Sequence, residues 1–563
     1  MNRILASLLI IVSGITVRTA AQQLSSPLDF PVQLSGGFCD LRANHFHAGI
    51  DFRTKGTEGH ALHAVKEGYI SRISVSPWGY GLAIYITHPG DSLMTVYGHL
   101  QRFTGRITDL VKDKQYENES YTVDFSVEPG VLPVKQGDLI GYSGNSGSSG
   151  GPHLHFEVRD LRNNNLLDPL EYYKSRVPDT KKPQVKGLMI YPIEGKGVVN
   201  GSSHRQKIEF KNDPHENPVV STVLEAWGET GLGIRAADRM DGTGFSYGIK
   251  DILQTVDSVE TFRSYADRFS HEESRSINSY TDYAEWSRNR VFYIKTFVEP
   301  GCRLRMVASR HSGIINIDEE RIYHIMITLS DIYGNTCRVP IQIKGKKQDI
   351  PPADTAGAHL MRWYDYNTFG SKGIRLNIPR NSLYDNVGMY YSSSSVKGYK
   401  STVHTLHRIP VPLHRPAQLS IHIDSVYEPV MNEQLGIVKV SPGGYRSWIG
   451  GTYRDGWMDA EIYELGDYAV AYDASPPVIT PVEPGKWRER KQIKIRISDD
   501  LSGISTYRGE IDGQYALFGF DGKNALLTYD FDSERIHPGY HRLKLSVTDR
   551  CGNRSVYGYA LTW

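Results

Sequence analysis

The sequence predicts a mainly β protein of several domains, and three observations carry that expectation. The chain has 563 residues, more than one ordinary core holds, at roughly one domain per ~150 residues. Its 54 Gly and 35 Tyr favour short strands and tight turns over long helices. The segment Ile327-Thr-Leu-Ser-Asp-Ile-Tyr-Gly-Asn335 is echoed by Leu545-Ser-Val-Thr-Asp-Arg-Cys-Gly-Asn553: a strand, an Asp-x-x-Gly-Asn turn, then another strand.

Taken in order, Asn2-Arg3, the apolar run from Ile4 to Val17 and Thr19-Ala20-Ala21 read as an export signal over residues 1–21. The run is shorter than the ~20 apolar residues of a membrane-spanning helix, and no later segment is long and apolar enough to span. The mature protein is therefore expected outside the cytoplasm, in the periplasm, cell envelope or beyond. Residues 22–176 alternate strand-like runs (Tyr69-Ile-Ser-Arg-Ile-Ser-Val, Leu82-Ala-Ile-Tyr-Ile-Thr) with Gly-rich turns. A linker at Arg176-Val-Pro-Asp-Thr-Lys-Lys-Pro183 leads into a second unit, 177–348. A break at Gln348-Asp-Ile-Pro-Pro opens a β-rich third unit, 349–472, and the last unit covers 473–563. The repeated turn and the Pro-x-Val openings predict immunoglobulin-like β-sandwiches for the second and last units. A few helical turns are expected around Ser258–Phe269. Of four cysteines, Cys302 and Cys337 fall in one unit and could pair in an exported protein, whereas Cys39 and Cys551 stand at opposite ends.

Charge narrows the function classes. Lys plus Arg total 64 against 63 acids, a net +1 that gives no reason to expect nucleic acid as a partner. Chemistry concentrates in three histidine clusters of the first unit: His45-Phe-His47-Ala-Gly49-Ile-Asp51, Tyr97-Gly98-His99-Leu100 and Gly151-Pro152-His153-Leu154-His155-Phe-Glu. On a strand, His153 and His155 face one side, about 7 Å apart at ~3.3 Å rise per residue. His47 and Asp51 would stand ~13 Å apart on a straight strand, too far to share a metal at ~2 Å bonds. Gly49 between them permits the bend that brings both to one point. His47, Asp51 and His155 then make a three-ligand zinc site with a fourth position for water, and His99 and His153 are the groups available to move protons. The run Gly144-Asn-Ser-Gly-Ser-Ser-Gly-Gly151 would let a substrate backbone approach closely.

These three motifs, in this order, resemble the signature of the lysostaphin/LytM-type zinc endopeptidases, with agreeing features at Arg42, Gly79-Tyr-Gly-Leu and Val134-Lys-Gln-Gly-Asp-Leu-Ile-Gly-Tyr142. The resemblance covers the first third of the chain. It implies an antiparallel β peptidase domain with a groove over zinc held by His47, Asp51 and His155, with His99 and His153 catalytic. It also implies peptidoglycan stem peptides or cross-links as the substrate. The segment Thr104 to Leu132 is longer than the family's usual connection and would shape one end of the groove. The β-rich extension and Phe38-Cys39-Asp-Leu-Arg42 resemble large envelope proteins of Bacteroidota.

His45, His60, His63 and His88 match no ligand position and read as structural or exposed. His271-Glu-Glu and His215-Glu-Asn do not continue to a second histidine. The Gly-x-Ser-x-Gly at 147–151 lacks the following helix of a nucleophile elbow. The competing class is a non-catalytic wall-binding regulator of other wall hydrolases that retains a zinc site. The complete set of five residues favours an enzyme.

Overall fold

The structure, a computed structural model, describes residues 24–213, 217–424 and 429–563. The expected export signal at 1–21 and His215-Glu216 lie outside these residues. Strand makes up 49% of the chain and helix 10%, so the mainly β expectation holds. Among the described residues no helix is long and apolar enough to cross a membrane.

The first unit is organised by one mixed-length antiparallel sheet. Its central path runs Leu34–Gly36, Ile50–Arg53, His153–Asp160, Leu93–Phe103, Leu82–His88, Gly68–Val75 and Pro133–Val134. Leu154, Phe156 and Val158 are buried on one face and pack with Phe52, Tyr97 and Tyr173. The alternate positions His153, His155, Glu157 and Arg159 occupy the other face. Polar groups on that buried face require partners, and those partners form the site described below.

The second unit shares its core with the first: one continuous set of buried apolar side chains runs from Leu24 to Ile343. Strand Arg268–Phe269 even joins the first unit's sheet, opposite Leu166–Leu167. Most of the second unit's strands are hydrogen-bonded into a ten-stranded sheet, in which Leu224–Ala237 runs parallel to Thr336–Gly345, and Lys211–Asn212 pairs separately with Pro218–Val219. The third unit has two five-stranded sheets around a separate core, and the last has two four-stranded sheets around another.

Two expectations fail here. Residues 258–269 are not helical: Val259–Tyr265 is a strand paired with Asp251–Val256. Its Val, Thr, Phe and Tyr suit a pleated surface, and the helical turns come later, at His271–Ser274, Ile277–Tyr280 and Tyr283–Asn289. Cys302 and Cys337 are not joined by a disulfide, and none of the four cysteines forms one. Cys337 is buried in a core strand opposite Leu329, while Cys302 sits in a loop beside Ser279.

The 104–132 segment forms helix Gly105–Glu117 and strand Val123–Ser126, the latter pairing with Gly68–Val75. This insertion is where the last unit docks. Lys112 pairs with Asp532 at 2.8 Å, Glu119 with Arg508 at 2.6 Å, and the rings of Tyr116 and Tyr515 meet edge to face.

Candidate metal and catalytic centre

Strand register places the first pair of site residues. Ile50–Arg53 runs antiparallel to His153–Asp160 with Asp51 directly opposite His155. On its other side His155 lies opposite Gly98, where no side chain competes for space. Asp51 and His155 therefore project together, and Asp51 Oδ1 lies 3.1 Å from His155 Nδ1.

His47 arrives from the bend preceding that strand. Gly49 sits so close to the neighbouring strand that a Cβ there would come within 2.1 Å of the Phe156 carbonyl oxygen. The bend brings His47 Nε2 to 3.0 Å from Asp51 Oδ1 and 3.0 Å from His155 Nδ1. Two imidazole nitrogens and one carboxylate oxygen thus converge, all three residues buried. A tetrahedral zinc with bonds of about 2.0–2.1 Å holds its ligand atoms about 3.3 Å apart, so the donor set fits such an ion.

Further contacts fix the two rings and the groups around them. His47 Nδ1 meets the Gly37 carbonyl at 2.7 Å, which leaves Nε2 free of a proton. His155 Nε2 meets Glu157 Oε1 at 2.9 Å, and Glu157 also accepts from the Tyr80 hydroxyl at 2.6 Å and from Arg159 Nε at 2.7 Å. Burial acts to raise the Glu157 carboxyl, but His155 and then Arg159 outweigh it and hold it at about 2. Burial likewise opposes a proton on His155, yet Asp51 and Glu157 push the ring up to about 9. At Asp51 burial is again outweighed, by His47, His153 and His155, and its carboxyl lies well below the usual range.

His99 and His153 flank the trio. Their rings meet edge to face with centroids 4.8 Å apart, and His153 Nε2 is 3.4 Å from Asp51 Oδ1. His99 adopts φ 62°, a left-handed conformation that turns its side chain out of the strand's alternation. Its Nδ1 bonds the Ser146 carbonyl at 2.9 Å, and His153 Nδ1 bonds that of Gly151 at 2.8 Å. Burial, with His155 and His153 nearby, pushes His99 down to about 3, so it is neutral at ordinary pH.

Within the Gly-rich run 144–151, Gly144 and Gly147 pack against neighbouring backbone, while Gly150 and Gly151 face open space. Gly147, at φ 68°, packs so tightly that a Cβ would lie 2.3 Å from the Gly81 nitrogen. From the last unit, Lys523 Nζ donates to the carbonyls of Asn145 and, at 3.3 Å, Ser149.

All five residues singled out from sequence come together. His45, His60, His63 and His88 do not join them: their rings bond Ala43, Thr57, Gly137 and Glu67 respectively. Glu157, Arg159 and Tyr80 were not anticipated. The available signal was a Glu and an Arg two and four residues after His155, on the same face of an otherwise apolar strand.

Parts of the chain are similar to known proteins. The profile of Peptidase family M23 matches residues 121–169, and that of a Zu5-like domain matches residues 358–473. Glycyl-glycine endopeptidase ALE-1 of Staphylococcus capitis is 27% identical over 148 residues, 26% of this chain and 32% of that protein. DD-carboxypeptidase/endopeptidase Mpg of Neisseria meningitidis is 31% identical over 119 residues, 21% of each. The solved catalytic domain of lysostaphin from Staphylococcus simulans is 23% identical, covering 25% of this chain and 92% of that one, with a TM-score of 0.20. The chain spans about a third or less of the curated relatives it matches. It carries a Peptidase family M23 domain, homologous to those of lysostaphin and ALE-1.

Proposed function

We propose that the protein is an exported zinc-dependent endopeptidase that hydrolyses peptide cross-links of bacterial peptidoglycan. The observation that carries this reading is the convergence of His47 Nε2, Asp51 Oδ1 and His155 Nδ1 within 3.1 Å, with His99 and His153 alongside, in an M23 domain. Relatives named for glycyl-glycine and DD-endopeptidase activity support peptide bonds of the wall as the substrate class.

His47, Asp51 and His155 would hold the zinc. Bound there, it supplies a Lewis acid that activates water and polarises the scissile carbonyl. Glu157 and the Gly37 carbonyl orient the two ligand rings, so that each presents one bare nitrogen. His99, neutral and with Nδ1 committed to Ser146, presents Nε2 toward the cleft as a donor or acceptor for the reacting groups. His153, half-buried and anchored through Nδ1 to Gly151, can exchange a proton with substrate on the other side.

The test is digestion of purified sacculi by the zinc-loaded full chain, with muropeptides separated by chromatography and mass. Cross-linked dimers turning into monomers support the proposal and identify the bond. Unchanged sacculi, with zinc shown to be bound, would favour a wall-binding regulator instead.

A further inference from the structure

The linker into the second unit ends among three acids that the peptidase site does not use. Asp179 belongs to the linker, Asp238 follows strand Leu224–Ala237, and Asp331 follows strand Ile322–Ser330. Each offers one carboxylate oxygen, and these oxygens lie within 4.8 Å of one another. The residues are 8%, 3% and 7% exposed, so water does little to separate their charges.

The three carboxylates are not equally provided for. Asp331 Oδ1 accepts the N–H groups of Tyr333, Gly334 and Asn335 at 2.7–2.8 Å, and its Oδ2 accepts Asn335 Nδ2 at 2.7 Å. Asp179 Oδ1 accepts the Lys181 N–H at 2.9 Å. By contrast Asp179 Oδ2 and Asp238 Oδ1 are buried without any hydrogen-bond donor. Burial pushes Asp238 up to about 8 and Asp179 to about 6, with the neighbouring acids adding to both. Buried carboxylate oxygens without a donor are costly to leave bare. A proton shared between Asp179 and Asp238 would serve their two bare oxygens but leave the remaining negative charge of the trio buried. A cation at the centre serves all three together.

The donors are all oxygens, with no imidazole or thiolate among them. Such a set selects a hard cation, and irregular carboxylate cages suit calcium better than octahedral magnesium. We propose that Asp179, Asp238 and Asp331 form a calcium site that clamps the linker at 177–183 onto the second unit. Because Asp179 comes from the segment leaving the peptidase domain and the others from two strand ends, occupancy adds a tie between that segment and the second unit.

The layout recurs at Asp473, Asp499 and Asp549, at the entry to the last unit. There both oxygens of Asp473 accept backbone N–H groups, and the one bare oxygen belongs to Asp499, which is only partly buried. The second trio therefore lacks the pair of bare, deeply buried oxygens that marks the first.

The experiment uses the zinc-loaded full chain in calcium-free buffer, with unfolding followed calorimetrically as calcium or magnesium is added. Millimolar calcium is expected to raise the first unfolding midpoint by about 3 °C or more, and magnesium by less. Asp238→Asn should retain about a third or less of that increment. Without calcium it should be at least as stable as the wild type, because a buried carboxyl crowded by two others is gone. No calcium increment in the wild type, or an equal increment in Asp238→Asn, would overturn the site. So would a variant destabilised equally with and without calcium, the mark of a purely structural hydrogen-bond role. Should Asp238→Asn fail to fold, Asp179→Asn gives the same reading.

Discussion

Asp51 and His155 face each other across two antiparallel strands, with Oδ1 of one 3.1 Å from Nδ1 of the other. A ligand pair built on strand register is rigid, and what can disturb it is whatever presses on either side chain. Gly36 lies opposite Asp51 on the other flank, where a Cβ would stand 2.3 Å from Asp51 Oδ2. Gly36→Ala is therefore expected to displace the carboxylate and cut zinc affinity by about tenfold or more, as loss of a ligand-orienting contact does. Chelator competition checks it; unchanged affinity would mean the carboxylate has room to move.

Glu157 holds His155 from behind while pairing with Arg159, and all of it is buried. Glu157→Gln keeps the shape but removes the charge. Zinc affinity should fall about 10- to 100-fold. The loss should exceed that of an exposed control such as Glu128→Gln.

The proton on His155 competes with zinc. In the metal-free protein the ring is raised to about 9 from 6.5, so its proton stabilises the fold below about 6.5, and that contribution is lost as pH rises through 9. Zinc requires the neutral ring, so affinity should climb with pH, by up to about tenfold per unit, and level off above about 9. Competition titrations from pH 6 to 10 read this directly, and a flat profile between 7 and 9 would contradict it.

His99 and His153 stand beside the ligand trio with their Nδ1 atoms bound to backbone carbonyls. His99→Ala and His153→Ala should each keep one zinc per chain while losing about 10²–10⁴-fold in turnover of cross-linked muropeptides. Zinc content by elemental analysis alongside activity separates this from ligand loss.

Lys523 ties the last unit to the loop that carries Ser146 and Gly151. Because Lys523 is exposed, its removal should loosen rather than unfold that loop. In Lys523→Ala, amide exchange over 144–151 should quicken about three- to tenfold with zinc content unchanged. Equal exchange in both proteins would make the contact incidental.

The site was readable because its parts are local in sequence. His153 and His155 two apart on a strand, and a glycine between His47 and Asp51, state their geometry through strand period and backbone freedom. Glu157 was written in the same strand, but its role depends on Tyr80 and Arg159 closing around it, which no spacing announces. The core shared between the first two units and the contact of Lys523 with Asn145 join residues far apart in the chain. Such contacts leave no local pattern. At Val259–Tyr265 a strand stands where helical turns are expected, and its β-branched and aromatic residues favour the pleat.

The most direct measurement is anomalous scattering at the zinc edge from crystals of the zinc-loaded full chain. One strong peak is expected about 2.0–2.2 Å from His47 Nε2, Asp51 Oδ1 and His155 Nδ1, with His99 and His153 outside its coordination. A peak bound by His99 or His153, or none at the trio, would contradict it.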